Sequence, residues 1–216
     1  MELSRTPFRF VTASYLVVIR PERAHTLAGL ADGLRTCPDG SLFHHAFHAV
    51  EPHYYMRFSN DFAHWALTAC RNPALAERLA AVDVRDVTSF DELREALVGP
   101  VAAAVDALRD EAHRPAGESF SFCEHESVEA PLGAQATTLR ELVDGIRLLD
   151  AQTIHHHFVH SRIRLDLATN DFSHWIEHAL GLTGLARRLA RIDIAMKPPD
   201  ALRREIVSVI RSEGGA

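Results

Sequence analysis

The sequence predicts an all-α protein made of two homologous helical repeats of about 110 residues each. Two observations predict this fold class: the chain repeats itself, and apolar residues recur at helical spacing in both copies. The segment FRF at 8–10 corresponds to FSF at 120–122 in the second copy, and SNDFAHW at 59–65 corresponds to TNDFSHW at 169–175. We therefore expect two similar helical bundles that pack with pseudo-twofold symmetry.

The repeats are predicted to occupy residues 7–109 and 119–212. Between them, residues 110–118 read DEAHRPAGE, which is polar, contains Pro115 and Gly117, and has no apolar periodicity. Such a segment is typical of a linker. The starts of the repeats are ambiguous, because Phe8, Phe10 and the run 15–19 fit either a short extended segment or a buried helical turn.

The first helix of each repeat is indicated by one apolar face. Leu27, Leu30, Ala31 and Leu34 follow the i, i+3, i+4, i+7 spacing that places side chains on one side of a helix. The counterpart in the second repeat carries Leu139, Leu142, Val143 and Ile146.

Later helices are indicated by residues that can cap them. We expect Ser41 and Thr153 to cap the histidine-rich segments, and Asn60 and Asn170 to cap the helices that follow, because a side-chain oxygen can accept an unpaired amide hydrogen. Asn72 followed by proline predicts a cap with proline at the first helical position.

The last helix of the first repeat is predicted to begin after Ser89, since Glu92 stands at the capping-box spacing. Pro100 should end or kink this helix, because proline lacks the amide hydrogen that a helix interior needs.

Composition excludes several classes of protein. The net charge of −6 and the pI near 6.1 argue against a nucleic-acid binder that relies on bulk positive charge. No apolar run is long enough to span a bilayer, and the first residues do not resemble a secretory signal. The three cysteines form no CxxC pair and no even set. We therefore expect a cytoplasmic protein with reduced thiols.

One ordered motif occurs twice: aromatic-x-aromatic, A-x-x-L, S-[LI]-x-x-H, NDF-x-x-W and LA-x-x-L-x-x-[VI]-D. This double pattern resembles the DUF5752 family, a domain of unknown function, over residues 7 to 211. The resemblance implies a mostly helical protein without an assigned activity. In the first half the residues on the motif are Ser41, His45, Asn60, Asp61, Phe62 and Trp65. In the second half they are Thr153, His157, Arg162, Arg164, Asn170, Asp171, Phe172 and Trp175.

Histidine is the unusual residue of this chain: there are 14, and eleven lie in two windows, 44–64 and 155–178. In each window two histidines stand four apart, so a helix would present both imidazoles on one face. A third ligand is available from a D-x-x-H pair at the start of the next helix. Two or three histidines plus a carboxylate suit zinc or non-haem iron. The candidate metal ligands are His44, His48, His64, His156, His160 and His174, with Asp61 and Asp171 as the carboxylates.

Simpler interpretations of the same residues exist. Asp61 and Asp171 suit the positive end of a helix, and His45 and His157 can be core histidines with satisfied hydrogen bonds. Arg162 and Arg164 can grip a phosphate or carboxylate, because guanidinium is a planar fork of donors; alternatively they pair with acidic neighbours. The candidate ligand-binding residues are therefore His45, His157, Arg162, Arg164, Asp61 and Asp171.

The chain contains no HExxH, GxSxG, P-loop or GxGxxG motif, so no catalytic residue is assigned. Three classes of function stay open. The first is a non-catalytic module that binds a small ligand or a protein through the histidine-rich inter-repeat region. The second is a protein or enzyme that depends on a divalent metal, with zinc or iron as the cofactor. The third is a structural subunit of a complex. In every case, protonation of the histidines should change stability or self-association between about pH 7 and pH 5.

Overall fold

The computed structural model describes residues 6–47, 60–83, 86–193 and 197–214. Helices dominate this part of the chain, but the prediction of an all-α protein is wrong, because two long strands pair in a sheet. The strands are β1 (Phe8–Ala24) and β2 (Phe120–Ala136). The first-half helices are α1 (Leu27–Thr36), α2 (Asp39–Ala46), α3 (Asp61–Thr68), α4 (Pro73–Ala80) and α5 (Phe90–Leu108). The second-half helices are α6 (Leu139–Leu148), α7 (Ala151–His155), a π-helix (His156–His160), α8 (Ser161–Arg164), α9 (Asp171–Leu180), α10 (Thr183–Ala190) and α11 (Pro199–Gly214).

The strands begin at the aromatic pairs whose conformation the sequence left open. Phe8 and Phe10 alternate with an exposed Arg9, which is the period-two pattern of a half-buried strand. Arg20 bonds to Glu124 at 2.6 Å and Arg23 bonds to Ser121 at 2.6 Å, so residue numbers rise along β1 as they fall along β2. The sheet is therefore antiparallel.

The chain forms two compact units. The N-unit comprises residues 16–126, and the C-unit comprises residues 1–15 with residues 127–216. The boundaries fall inside the strands, so the first part of β1 belongs to the unit that holds the helices of the second repeat. The first part of β2 likewise belongs to the unit that holds the helices of the first repeat.

Each unit packs its helices around an apolar core. In the N-unit α1 lies on α5 and α3 on α4; in the C-unit α6 lies on α11 and α9 on α10. The predicted apolar faces of α1 and α6 are confirmed, since Leu30, Leu34, Leu142 and Ile146 are fully buried. The other fully buried large side chains include Phe62, Leu79, Leu93, Leu97 and Phe122 in the N-unit and Phe10, Phe158 and Phe172 in the C-unit.

Most of the predicted helix starts are confirmed. Asn60, Asn170, Asn72 and Ser89 each accept an amide hydrogen from the residue three positions later. The predicted caps at Ser41 and Thr153 are wrong, because α2 begins at Asp39 and α7 begins at Ala151, two residues before the predicted cap in each case. In α7, Asp150 takes the cap position and accepts from the Thr153 amide at 2.7 Å.

The last helix of the first repeat does not end at Pro100. Helix α5 continues for 19 residues to Leu108, and its buried stripe of Leu93, Leu97 and Val101 runs past the proline. A short 3-10 helix (Arg109–His113) then occupies part of the predicted linker. Among the described helices, none combines the length and apolar content that crossing a bilayer requires.

Candidate functional site: the histidine clusters

His157 lies in the π-helix of the C-unit with both ring nitrogens engaged. Its Nδ1 is 2.8 Å from Asp171 Oδ2, and its Nε2 is 2.9 Å from the backbone nitrogen of Val11. A backbone amide can only donate, so Nε2 must be the unprotonated acceptor. The neutral ring therefore carries its proton on Nδ1 and donates it to Asp171. In this way α9, the π-helix and β1 are tied by one imidazole.

His45 makes the same arrangement in the N-unit. Its Nδ1 is 2.8 Å from Asp61 Oδ2, and its Nε2 accepts the amide hydrogen of Cys123 on β2 at 2.9 Å. His45 and His157, called the motif histidines below, are both buried. Each unit thus uses a histidine–aspartate pair to hold the strand that comes from the other repeat.

The rest of the repeated motif also fixes these strands. A Cβ atom added to Gly145 would lie 2.3 Å from Cζ of Phe10, so the ring occupies the space that a side chain would take. In the N-unit, a Cβ atom added to Gly33 would likewise lie 2.3 Å from Cζ of Phe122. These close approaches explain why both positions are glycine.

The tryptophans of the NDF-x-x-W segments bond to the same regions of chain. Trp175 Nε1 donates to the carbonyl of Thr6 at 2.8 Å, and Trp65 Nε1 donates to the carbonyl of Glu118 at 2.8 Å. Each acceptor lies just before a strand. The indole therefore anchors the chain just before the strand, while the histidine holds the fourth residue of the strand.

The C-unit adds a second layer of polar side chains beside the motif histidine. The Tyr15 hydroxyl lies 2.7 Å from His156 Nδ1, and its ring lies against His160 with centroids 4.2 Å apart. On the other side of His156, Nε2 is 3.7 Å from a carboxylate oxygen of Glu129. Strand residues and the π-helix together build this group, which we call the Tyr15 cluster: Tyr15, Glu129, His156 and His160. A π-helix is rare and is often found at functional sites.

The environment keeps Tyr15 and His156 neutral. Burial raises the pKa of Tyr15, with a further rise from Glu129, so the phenol keeps its proton. Burial lowers the pKa of His156, with a smaller contribution from His157, so this imidazole stays unprotonated near neutral pH. Burial opposes ionisation of Asp171, yet the bond from His157 and the charge of Arg164 lower the pKa of this carboxyl below its usual value.

The two arginines of the second repeat have different surroundings. Arg162 is buried and bonds to backbone carbonyls, with Nη2 donating to Ala190 at 2.7 Å at the end of α10. Burial lowers its pKa to about 10. Arg164 is half-exposed and donates to Asp171 at 3.0 Å through Nη2. The structure therefore places only Arg164 beside the histidine cluster with its guanidinium open to solvent.

In the N-unit, the side chains around His45 differ. His44, His45 and Cys123 have donor atoms that all lie within 4.8 Å of one another. The ring of His125 packs against that of His44 with centroids 4.5 Å apart. Burial raises the pKa of the Cys123 thiol, and the nearby Asp61 carboxylate adds to this rise.

The predicted metal ligands are brought together only in part. Among the described residues, the groups with donor atoms within 4.8 Å are His44, His45, Cys123 and His156, His157, Asp171. His64, His160 and His174 belong to neither group, and His48 lies outside the described residues. His174 packs on His178 with ring centroids 4.1 Å apart.

Several contributors to these clusters were not singled out from the sequence. Val11, Tyr15 and Glu129 lie on the strands, far in sequence from the histidines that they contact. The alternation of Phe8 and Phe10 and the apolar run at 15–19 were the signs that this segment could be extended. Even so, alternation does not indicate which helices a strand will contact.

Comparison with known proteins agrees with the repeated motif. The profile of the family of unknown function DUF5752 matches residues 5–211. A solved structure, described as the structure of OrfY from Thermoproteus tenax, superposes with a TM-score of 0.82 at 27% identity, covering 100% of this chain and 99% of that one. No curated protein matches the sequence. With nearly its whole length matched, the chain belongs to the DUF5752 family.

Proposed function

We propose that the protein is a non-catalytic binding module and that a small ligand with an anionic group binds beside the Tyr15 cluster of the C-unit. The observation that carries this proposal is the saturation of the motif histidines. Each has a carboxylate on Nδ1 and a backbone amide on Nε2, so no lone pair is left to take a proton from a substrate.

The neighbouring titratable groups support a binding role as well. A general acid or base works best with a pKa near the operating pH. Burial instead moves the pKa of Tyr15 up and that of His156 down, so both stay neutral. The pKa of the Cys123 thiol is raised, which lowers its nucleophilicity near neutral pH. These groups suit hydrogen bonding more than proton transfer.

The charge around the Tyr15 cluster suggests the ligand class. Arg164 is 50% exposed and uses Nη2 for Asp171; among the described residues, no acceptor bonds to its Nε or Nη1. Arg164 donates to the carboxylate that holds His157, and its positive charge lowers the pKa of both Tyr15 and His156. A carboxylate or phosphate would find in Arg164 a planar fork of donors.

The test uses inorganic phosphate and acetate as probes. Each is titrated into protein labelled at histidine and tyrosine, at constant ionic strength with chloride as the control anion, while NMR follows the Tyr15 and His156 signals. We expect a saturable shift with at least one probe and none with chloride.

Arg164→Gln should abolish that shift. Arg147→Gln is the matched control, since Arg147 is also an exposed arginine of the C-unit paired with an aspartate, Asp144, at 3.5 Å. The proposal is overturned if neither probe produces a saturable shift, or if Arg164→Gln binds as the parent does.

The metal interpretation with D-x-x-H ligands has less support. Asp61 and Asp171 face the motif histidines, and a metal on either nitrogen of such a ring would displace the aspartate contact or the strand amide. For a structural subunit of a complex, the described contacts contain no specific observation in favour.

A further inference from the structure

The two units share one scaffold but carry different side chains beside the motif histidine. A shift of 112 residues relates His44 to His156, and it relates Cys123 and His125 on β2 to Val11 and Ala13 on β1. Val11 and Cys123, the first residue of each corresponding pair, both donate their backbone amide to the motif histidine of their unit. In the N-unit alone, the strand also brings a thiol and an imidazole to that place.

His44 lies close to both Cys123 and His125. A donor atom of His44 lies within 4.8 Å of the Cys123 sulfur, and the His44 and His125 rings are 4.5 Å apart in an edge-to-face arrangement. The nitrogens of His125 are outside the set of donor atoms that all lie within 4.8 Å of one another, so the His125 ring has to turn to share an ion with the other two side chains. Cys123 and His125 are separated by one residue along β2, so their side chains project from the same face of the strand. His44 is buried, whereas Cys123 and His125 are half-buried, which gives an ion a path from solvent.

His45 does not belong to the donor set, although it is equally near. Its Nδ1 faces Asp61 at 2.8 Å and its Nε2 accepts the Cys123 amide at 2.9 Å. Coordination through Nδ1 would displace Asp61, and coordination through Nε2 would release the Cys123 amide of β2. His45 instead positions the backbone of Cys123 and thereby fixes where the sulfur lies.

We propose that His44, Cys123 and His125 form a transition-metal site of the N-unit, suited to a borderline-soft ion such as Zn²⁺. One thiolate and two imidazoles are ligands that zinc prefers, and three protein ligands leave a fourth position for water or another ligand. This site is separate from the proposed ligand site of the C-unit, and neither proposal depends on the other.

Binding has a defined proton balance. The thiol hydrogen, which now points to the carbonyl of Ser121 with sulfur and oxygen 3.7 Å apart, leaves to solvent as the sulfur–metal bond forms. The imidazoles bind in their neutral form, so one proton is released per ion from the cysteine. Affinity therefore rises with pH through the neutral range.

The experiment titrates Co²⁺ into untagged, metal-free, full-length protein and records the absorption spectrum. A cobalt–thiolate bond produces charge-transfer absorption in the near ultraviolet, which imidazole or carboxylate ligands do not produce. We expect this band to saturate at one ion per chain and to be bleached when Zn²⁺ is added.

Three variants test the assignment. Cys123→Ser should remove the charge-transfer band, and His125→Ala should weaken Co²⁺ binding at least about tenfold. Cys70→Ser is the matched control: it removes another half-buried cysteine of the same unit, one whose sulfur is not grouped with a donor atom of His44, and it should leave the band unchanged. Circular dichroism establishes that each variant is folded; if Cys123→Ser does not fold, His125→Ala decides.

The inference is overturned if Co²⁺ gives no charge-transfer band, if Cys123→Ser keeps it, or if Cys70→Ser removes it. It is also overturned if His125→Ala binds Co²⁺ as tightly as the parent chain. None of these results affects the anion titration at the C-unit.

Discussion

Replacing Gly145 by alanine tests whether the exchanged strand is held by insertion of its aromatic ring. The new Cβ would lie 2.3 Å from Phe10 Cζ and 2.7 Å from Cε2, whereas ordinary contact begins near 3.4 Å. The ring would have to withdraw by about 1.1 Å, the difference between these distances. Phe10 is buried against Phe8 and His157, so it has little room to do so.

The expected effect has a definite sign. Overpacking of a core costs about 1–3 kcal/mol, while glycine to alanine in an unhindered helix gains about 0.5–1 kcal/mol. We therefore expect Gly145→Ala to lower the free energy of unfolding by about 1–2 kcal/mol. Gly184→Ala, in the same unit and with nothing within 4 Å of its added Cβ, should be neutral or stabilising.

The measurement is urea denaturation followed by circular dichroism and tryptophan fluorescence. In a Phe10→Leu background, the loss caused by Gly145→Ala should be smaller than in the parent chain, because the shorter side chain vacates the contact. If Gly145→Ala stabilises the protein as Gly184→Ala does, the ring is not wedged against this helix and the argument fails.

Three further predictions concern the C-unit. Asp171→Asn should cost about 1–2 kcal/mol, since it removes the charge from the bond to His157, and Asp171→Ala should cost more because a buried donor is left unpaired; equal losses in urea denaturation would contradict this. The pKa of His156 is lowered in the folded state, so below about pH 6.5 the unfolded chain binds more protons than the folded chain does. The free energy of unfolding therefore decreases as the pH is lowered, by at most about 1.4 kcal/mol per pH unit from this group. His156→Asn should flatten that dependence, and an unchanged slope would assign it to other groups. Trp175→Phe removes the bond to the Thr6 carbonyl; it should cost about 0.5–1.5 kcal/mol and speed amide exchange in the first strand, whereas unchanged exchange would show that the indole does not anchor it.

The helices could be predicted because their signals are local. Leu27 to Leu34 carries its own periodicity, and Asn60 caps a helix that begins one residue later. The strands were harder to predict because their partners lie about 100 residues away. Pro131 and Gly133 disfavour a strand, yet both lie within β2, which pairs with β1, and Gly133 adopts a positive φ of 73° there.

The site could be predicted as a set of residues but not as a set of contacts. His157 and Asp171 stand out from the sequence, while spacing suggested that Asp171 works with His174, three residues later. In the structure Asp171 is the first residue of α9 and faces back to His157. The amide that completes the arrangement comes from Val11, 146 residues away, and a backbone donor has no sequence signature.

The exchange of strands between repeats also constrains the order in which the chain can fold during synthesis. Residues 16–126 of the N-unit are contiguous, so all of them have left the ribosome before the second repeat is complete. The C-unit must wait, because residues 6–15 are made first and find their histidine and tryptophan partners only at 157 and 175. An emerging chain therefore carries an apolar segment with Phe8 and Phe10 uncovered through most of its synthesis. This is the interval in which the segment is most exposed to chaperones, to proteases and to pairing with another nascent copy.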